Sequence, residues 1–172
     1  YEIQLRGAEY PEKTGNVEIR GPGFIDAYYS PWQTRSELLN DGWFTTGDMG
    51  YLDADGYLFL LGRSNDSINA GGMKFFPQEV EKVLESFPGI KESFVFAVPD
   101  LRLGESPIAH LVLNQNFKLT EQEVKDYCSR HLAAYKVPTK ILFVDTIVKT
   151  ASGKKIRRKI KNNLLEAPIH ES

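Results

Sequence analysis

The chain has 172 residues, enough for one domain or two small ones with a core that folds without staples. Hydrophobic residues make up 41% and charged ones 26%, and a formal charge of −2 gives no global pull toward nucleic acid or an anionic membrane. No apolar run approaches the ~20 residues of a membrane span, and the single cysteine, Cys128, excludes an intrachain disulfide and a cysteine metal cluster. Such cysteine usage reads as intracellular, with a cytoplasmic location expected. The chain opens on Tyr1-Glu2-Ile3-Gln4-Leu5, already strand-like, without methionine or a signal peptide. It is expected to be a segment of a longer polypeptide.

Residues 1–61 look β-rich. Gly15-Asn16-Val17-Glu18-Ile19-Arg20-Gly21 alternates polar and apolar residues and ends at the turn signal Gly21-Pro22-Gly23. A short helix is expected over Pro31 to Leu39, with Ser30 as its cap and Pro31 at the first position. Trp43 to Thr46 and Tyr51-Leu52 are short strand candidates. Asp53-Ala54-Asp55-Gly56 reads as a hairpin turn before Tyr57-Leu58-Phe59-Leu60-Leu61.

From Gly62 the texture changes, and a domain boundary is expected at residues 62–66. Pro77 starts a helix whose Val80, Val83, Leu84 and Phe87 share a face, and Pro88-Gly89 stops it. Phe94 to Val98 and Ile108 to Leu113 read as buried strands. Thr120 and Glu123 form a capping box opening a second helix, with Val124, Tyr127, Cys128 and Leu132 turned inward. Ile141 to Val144 is a further strand, and Ile156, Ile160 and Leu164 give a last amphipathic helix. The order β–α–β–β–α–β–α predicts a small open sheet with helices packed on it, an α+β chain overall. His110, His131 and His170 show no spacing suited to metal or triad chemistry.

Three segments carry the chemistry. Thr45-Thr46-Gly47-Asp48 offers a carboxylate able to accept from both hydroxyls of a ribose, or a turn aspartate serving its own backbone. Gly62-Arg63-Ser64-Asn65-Asp66 offers a guanidinium fork for phosphate or ribose oxygens, or a surface arginine paired with Asp66 or Asp48. The Gly71-Gly72 pair that follows admits a narrow ligand or another backbone, or is a plain turn between short strands. Lys149-Thr150-Ala151-Ser152-Gly153-Lys154-Lys155 closes the set with a glycine-borne lysine.

In that order, these segments resemble the C-terminal portion of the adenylate-forming family: acyl-CoA synthetases, luciferases and peptide-synthetase adenylation domains. The resemblance covers nearly the whole chain, and Asn69-Ala70-Gly71-Gly72 looks most like an acyl- or aryl-CoA synthetase. It implies that residues 1–61 end a large domain, 62–66 form a hinge and 67–172 form a small lid domain. It also implies that Asp48 and Arg63 bind the nucleotide and that Asn65 is the hinge residue. Gly71, Gly72 and Lys74 would meet CoA, and Lys154 would be catalytic, chosen over Lys155 by register. Asn65 stands where the family usually has aspartate or lysine, and Val148 where it has proline.

The implied reaction joins an acyl or aryl carboxylic acid to CoA at the expense of ATP with Mg2+, through an acyl-adenylate. The implied partner is an N-terminal domain of the same polypeptide, and this segment alone is expected to be inactive. Alternatives are an adenylation domain loading a carrier-protein pantetheine, or a non-catalytic homologue. The basic run Lys154 to Lys161 raises a remote third class, a nucleic-acid-binding helix. Its apolar stripe and the lack of interleaved aromatics speak against that, so no nucleic-acid partner is expected.

Overall fold

A computed structural model describes residues 1–8, 14–24 and 26–149. The chain divides into two compact units, Tyr1–Asn65 and a second beginning at Asp66.

The first unit is built on an antiparallel sheet. Strands β1 (Glu2–Arg6), β2 (Gly15–Arg20) and β6 (Trp43–Leu52) lie side by side, and β5 (Leu39–Asn40) and β7 (Leu58–Arg63) pair with opposite ends of β6. One row of side chains crosses the sheet by register: Gln4 lies opposite Glu18, and Glu18 opposite Thr45. Val17 is buried on the other face. Arg20 pairs with Glu2 and lies 4.6 Å above the Trp43 ring.

Two sequence expectations need correction here. The helix expected from Pro31 begins only at Arg35: β3 (Ala27–Tyr28) and β4 (Gln33–Thr34) form a hairpin over its first half. What remains is α1 (Arg35–Leu38), whose Glu37 carboxylate reaches back to the Thr34 N–H at 2.7 Å. The separate strands expected at Trp43–Thr46 and Tyr51–Leu52 are one strand, β6, running through the Thr-Gly-Asp motif.

The second unit places β8 (Ile68–Ala70), β9 (Met73–Phe75), β10 (Ile90–Asp100), β11 (Gly104–Leu113) and β12 (Lys140–Phe143) in one sheet, with α2 (Pro77–Glu85) and α3 (Glu121–His131) packed on it. β10 and β11 are antiparallel, β12 joins β11 in parallel, and the β8–β9 hairpin attaches through Ala70 opposite Gly104. Pro77 and the Glu79 carboxylate, which accepts from the Phe76 N–H at 3.0 Å, start α2. Thr120 and Glu123 cap α3 reciprocally.

Both faces of the β10–β11 pair are covered. Val95, Ala97, Ala109 and Leu111 face Val80, Leu84, Val124 and Cys128 of the helices. Phe94, Phe96 and Val112 face Ile147 and the half-buried Val144. A strand covered on both sides loses the period-two alternation, which is why residues 94–98 read as one apolar run. Each fully buried Val or Leu contributes about 1.5–3 kcal/mol.

Among the described strands β10 pairs with β11 alone, and α2 meets two donors on its other side. The buried Glu81 accepts from the Val95 N–H at 2.9 Å, and Glu85 accepts from the Ser93 N–H at 3.1 Å. Four residues of helix rise about 6 Å and two of strand about 6.6 Å, so acids four apart meet donors two apart. Among the described residues no helix is long and apolar enough to cross a membrane.

Candidate functional site

The Thr46-Gly47-Asp48 motif is a bulge in β6. Thr45 pairs with Glu18 of β2 and Met49 with Asn16, so β6 advances four residues while β2 advances two. Extra residues in one strand bend it and re-aim its side chains. Several bonds staple this bulge. The Thr46 hydroxyl donates to the Val17 carbonyl at 2.9 Å and accepts from the Asp48 N–H at 3.1 Å. The Ser64 hydroxyl donates to the Gly47 carbonyl at 3.2 Å. Gly47 has φ +78°, a conformation that favours glycine, and a Cβ there would stand 3.3 Å from the Arg63 guanidinium and press on it.

Across the β6–β7 pair, Asp48 and Arg63 are register partners. The Arg63 Nε donates to Asp48 Oδ1 at 2.9 Å, and its Nη1 donates to the Thr46 carbonyl at 3.1 Å. Arg63 is 61% exposed and Asp48 29%. A pair this open contributes little to stability, but it orients both groups toward solvent, and the described residues make no other side-chain bond to the Asp48 carboxylate. The paired-arginine reading, with Asp48 as the partner, thus describes the resting geometry. A 190 Å³ cavity in the same unit is lined by Gly23, Phe24, Tyr28, Leu38, Leu39 and Phe44, and its described lining includes neither Asp48 nor Arg63.

Asn65 sits exposed in a 3-10 turn over Ser64–Asp66, and the two units divide between Asn65 and Asp66. Gly71 and Gly72 form the β8–β9 turn with φ of +63° and +88°. The Gly71 N–H donates to the Leu103 carbonyl at 2.8 Å, while a Cβ on Gly72 would meet nothing within 4 Å. Lys74 lies exposed on β9 opposite Asn69. Lys154, Lys155 and the expected last helix lie outside the described residues.

Three residues of this neighbourhood escaped the sequence reading: Glu18, Thr45 and Ser64. The Glu18 side chain is only 1% exposed, and it accepts from Arg6 Nε at 2.7 Å, Gln4 Nε2 at 2.7 Å and the Thr45 hydroxyl at 2.9 Å. Burial pushes its carboxyl up, but the bonds from Arg6, Gln4 and Thr45 outweigh it and hold the group below the usual carboxylate range. Among the described residues, no three His, Cys, Asp or Glu side chains converge to hold a metal ion.

Residues 79–154 match the AMP-binding enzyme C-terminal domain. Oxalate–CoA ligase from Arabidopsis thaliana is 40% identical over 158 residues, covering 92% of this chain and 31% of that protein. A 2-succinylbenzoate–CoA ligase from Enterococcus faecalis is 40% identical over 162 residues, covering 94% and 33%. The chain belongs to the adenylate-forming family.

Among solved members, o-succinylbenzoate CoA synthetase from Bacillus subtilis, in complex with its acyl-adenylate intermediate, superposes with a TM-score of 0.83. It is 34% identical over 93% of this chain and 33% of that one. An amide bond synthetase from Marinactinospora thermotolerans gives a TM-score of 0.83 at 29% identity, covering 95% and 34%. The chain therefore spans about a third of the length of the curated relatives it matches. Both the family resemblance and the α+β class expected from sequence hold.

Proposed function

We propose that this chain is the C-terminal portion of an AMP-forming acid–thiol ligase, an acyl-CoA synthetase. The stapled Thr46–Asp48 bulge carries the proposal: it presents a partly exposed carboxylate beside a guanidinium, suited to a nucleotide's ribose and phosphates. CoA-ligase relatives supply the reaction class.

In the first step the substrate carboxylate attacks the α-phosphorus of ATP, a P–O bond forms, and pyrophosphate leaves. Asp48 accepts from the ribose hydroxyls and Arg63 stays at the nucleotide's flank. Lys154 stands between carboxylate and phosphate oxygens, where its charge offsets the negative charge building in the transition state. Mg2+ would accompany ATP and offset the charge on its phosphates. In the second step the chain rotates about Asn65, withdrawing Lys154 and presenting the Gly71–Gly72 turn to the pantetheine arm of CoA, with Lys74 near its phosphates. The thiol attacks the acyl carbonyl, AMP departs, and the thiol proton passes to solvent. The residues that choose the acid belong to the preceding N-terminal domain. ATP and CoA are both drawn from the cytoplasm, the expected location.

The full-length protein, incubated with ATP, Mg2+, CoA and a pool of carboxylic acids, is expected to yield an acyl-CoA detectable by mass. Lys154→Ala should slow adenylation about 10²–10³-fold while sparing thioester formation from supplied acyl-AMP. Equal loss in both half-reactions overturns the rotation, and absence of adenylate overturns the family activity. Adenylate without acyl-CoA redirects the proposal to a carrier-protein or amine acceptor, the latter as in the amide bond synthetase relative.

A further inference from the structure

Glu18 stands out as a charged group for which the proposed reaction has no use. It is a strand carboxylate with 1% of its side chain exposed, donors from two strands around it and, among the described residues, Arg6 as counter-charge. An ionised group taken out of water at such a cost needs its partners, and removing one leaves the rest uncompensated. Its location is as telling as its burial. Glu18 lies opposite Thr45, the last residue of β6 that keeps register with β2 before the bulge begins. Its Oε1 accepts from the Thr45 hydroxyl at 2.9 Å, while Gln4 and Arg6 of β1 hold it from the other side. The next residue, Thr46, is tied to the Val17 carbonyl and to the Asp48 N–H. A continuous path of bonds thus runs from β1 through Glu18 and Thr45 to the residue that ties down Asp48.

We propose that Glu18 is a positioning residue for nucleotide recognition: through Thr45 it fixes where the β6 bulge starts, and so aims the Asp48 carboxylate at the ribose. The inference rests on the reading of Asp48 as the ribose ligand. It assigns to β1 and β2 a part in ATP selection through the bonds of Gln4, Arg6 and Glu18. A misplacement near 1 Å is enough to cost a bidentate contact.

The test measures steady-state adenylation by the full-length protein with ATP, 2′-deoxy-ATP and 3′-deoxy-ATP. Wild-type protein is expected to favour ATP over both deoxy analogues, and Asp48→Asn to lose most of that preference. Thr45→Val replaces the hydroxyl by a methyl group of similar size, and Glu18→Val removes its acceptor. Both are expected to raise KM for ATP and reduce the ribose preference roughly tenfold, the scale of one hydrogen bond to a charged group. kcat at saturating ATP and KM for CoA should stay near wild type. Glu18→Gln keeps an acceptor for Thr45, and Gln4 can turn its amide to meet it, so the preference should largely return. General destabilisation cannot produce this pattern, because it does not distinguish ATP from its deoxy forms. Folded Thr45→Val protein with wild-type ribose preference overturns the positioning role. A wild type that adenylates without ribose preference overturns instead the reading of Asp48, and with it this inference.

Discussion

Lys136, in the turn after α3, donates to Glu79 of α2 at 2.6 Å, while the other Glu79 oxygen accepts from the Phe76 N–H that begins the helix. One carboxylate therefore caps α2 and fastens it to a segment 57 residues away. Glu79 is 36% exposed and Lys136 20%, so the pair is only partly shielded from solvent.

Lys136→Met is expected to destabilise the second unit by about 1 kcal/mol at neutral pH. Partial burial depresses the ammonium's pKa, but Glu79 outweighs it, and the folded value lies above the usual lysine range. A raised folded value means a contribution complete at neutral pH and lost as pH rises through that value. Denaturant curves of wild type and variant should thus be separated at pH 7 and converge in strong alkali. A gap that persists above the lysine range would show that packing, not charge, carries the effect.

Glu18 has the opposite sign. Its folded-state pKa is depressed, so its stabilisation is present above the unfolded value, about 4.3, and is lost as pH falls through the folded one. Between pH 6 and pH 3 the wild type should lose more stability than Glu18→Gln, which has no proton to gain. Parallel acid limbs for the two proteins would contradict this.

The β8–β9 turn separates fold from chemistry. Gly72 has φ +88° with open space around its missing Cβ, so Gly72→Leu suffers backbone strain of order 1–2 kcal/mol and its Cβ meets no described atom. Where the turn faces the pantetheine arm, the leucine should raise KM for CoA at least tenfold and leave acyl-adenylate formation intact. Equal loss in both half-reactions would remove the turn from the acceptor site.

Cys128 is fully buried between α3 and the sheet, and burial pushes its thiol up to about 11. Since the thiolate is the reactive form, this cysteine should resist maleimide at pH 8 until denaturant opens the unit. Rapid labelling of native protein would mean that α3 detaches readily.

The parts legible in the sequence were those decided locally. Pro77 with Glu79, and Thr120 with Glu123, announce their helices because a cap and its partner lie three residues apart. Pro31 misled for a related reason: proline suits a first helical turn equally well as the tight hairpin it occupies, and only the pairing of Ala27 with Thr34 decides. β6 looked like two strands because Thr46-Gly47-Asp48 has the composition of a turn, while its neighbours β2 and β7 make it a bulge. Asp48 and Arg63 were each visible as chemistry, but their 2.9 Å contact depends on cross-strand register. Glu18 was invisible for the same reason, since its three donors come from residues 4, 6 and 45. Nothing near it in sequence marks it as buried.

The two glutamates of α2 that meet the outer donors of β10 also decide what this unit can attach to. A free strand edge invites recruitment of any extended chain, whether a partner's tail or a second misassembled copy. Here the N–H groups of Ser93 and Val95 are already spent on carboxylates, and an incoming strand would have to strip them away and leave two acids behind without their donors. Adding a strand at Ser93 and Val95 therefore carries a desolvation cost that an open strand edge does not impose.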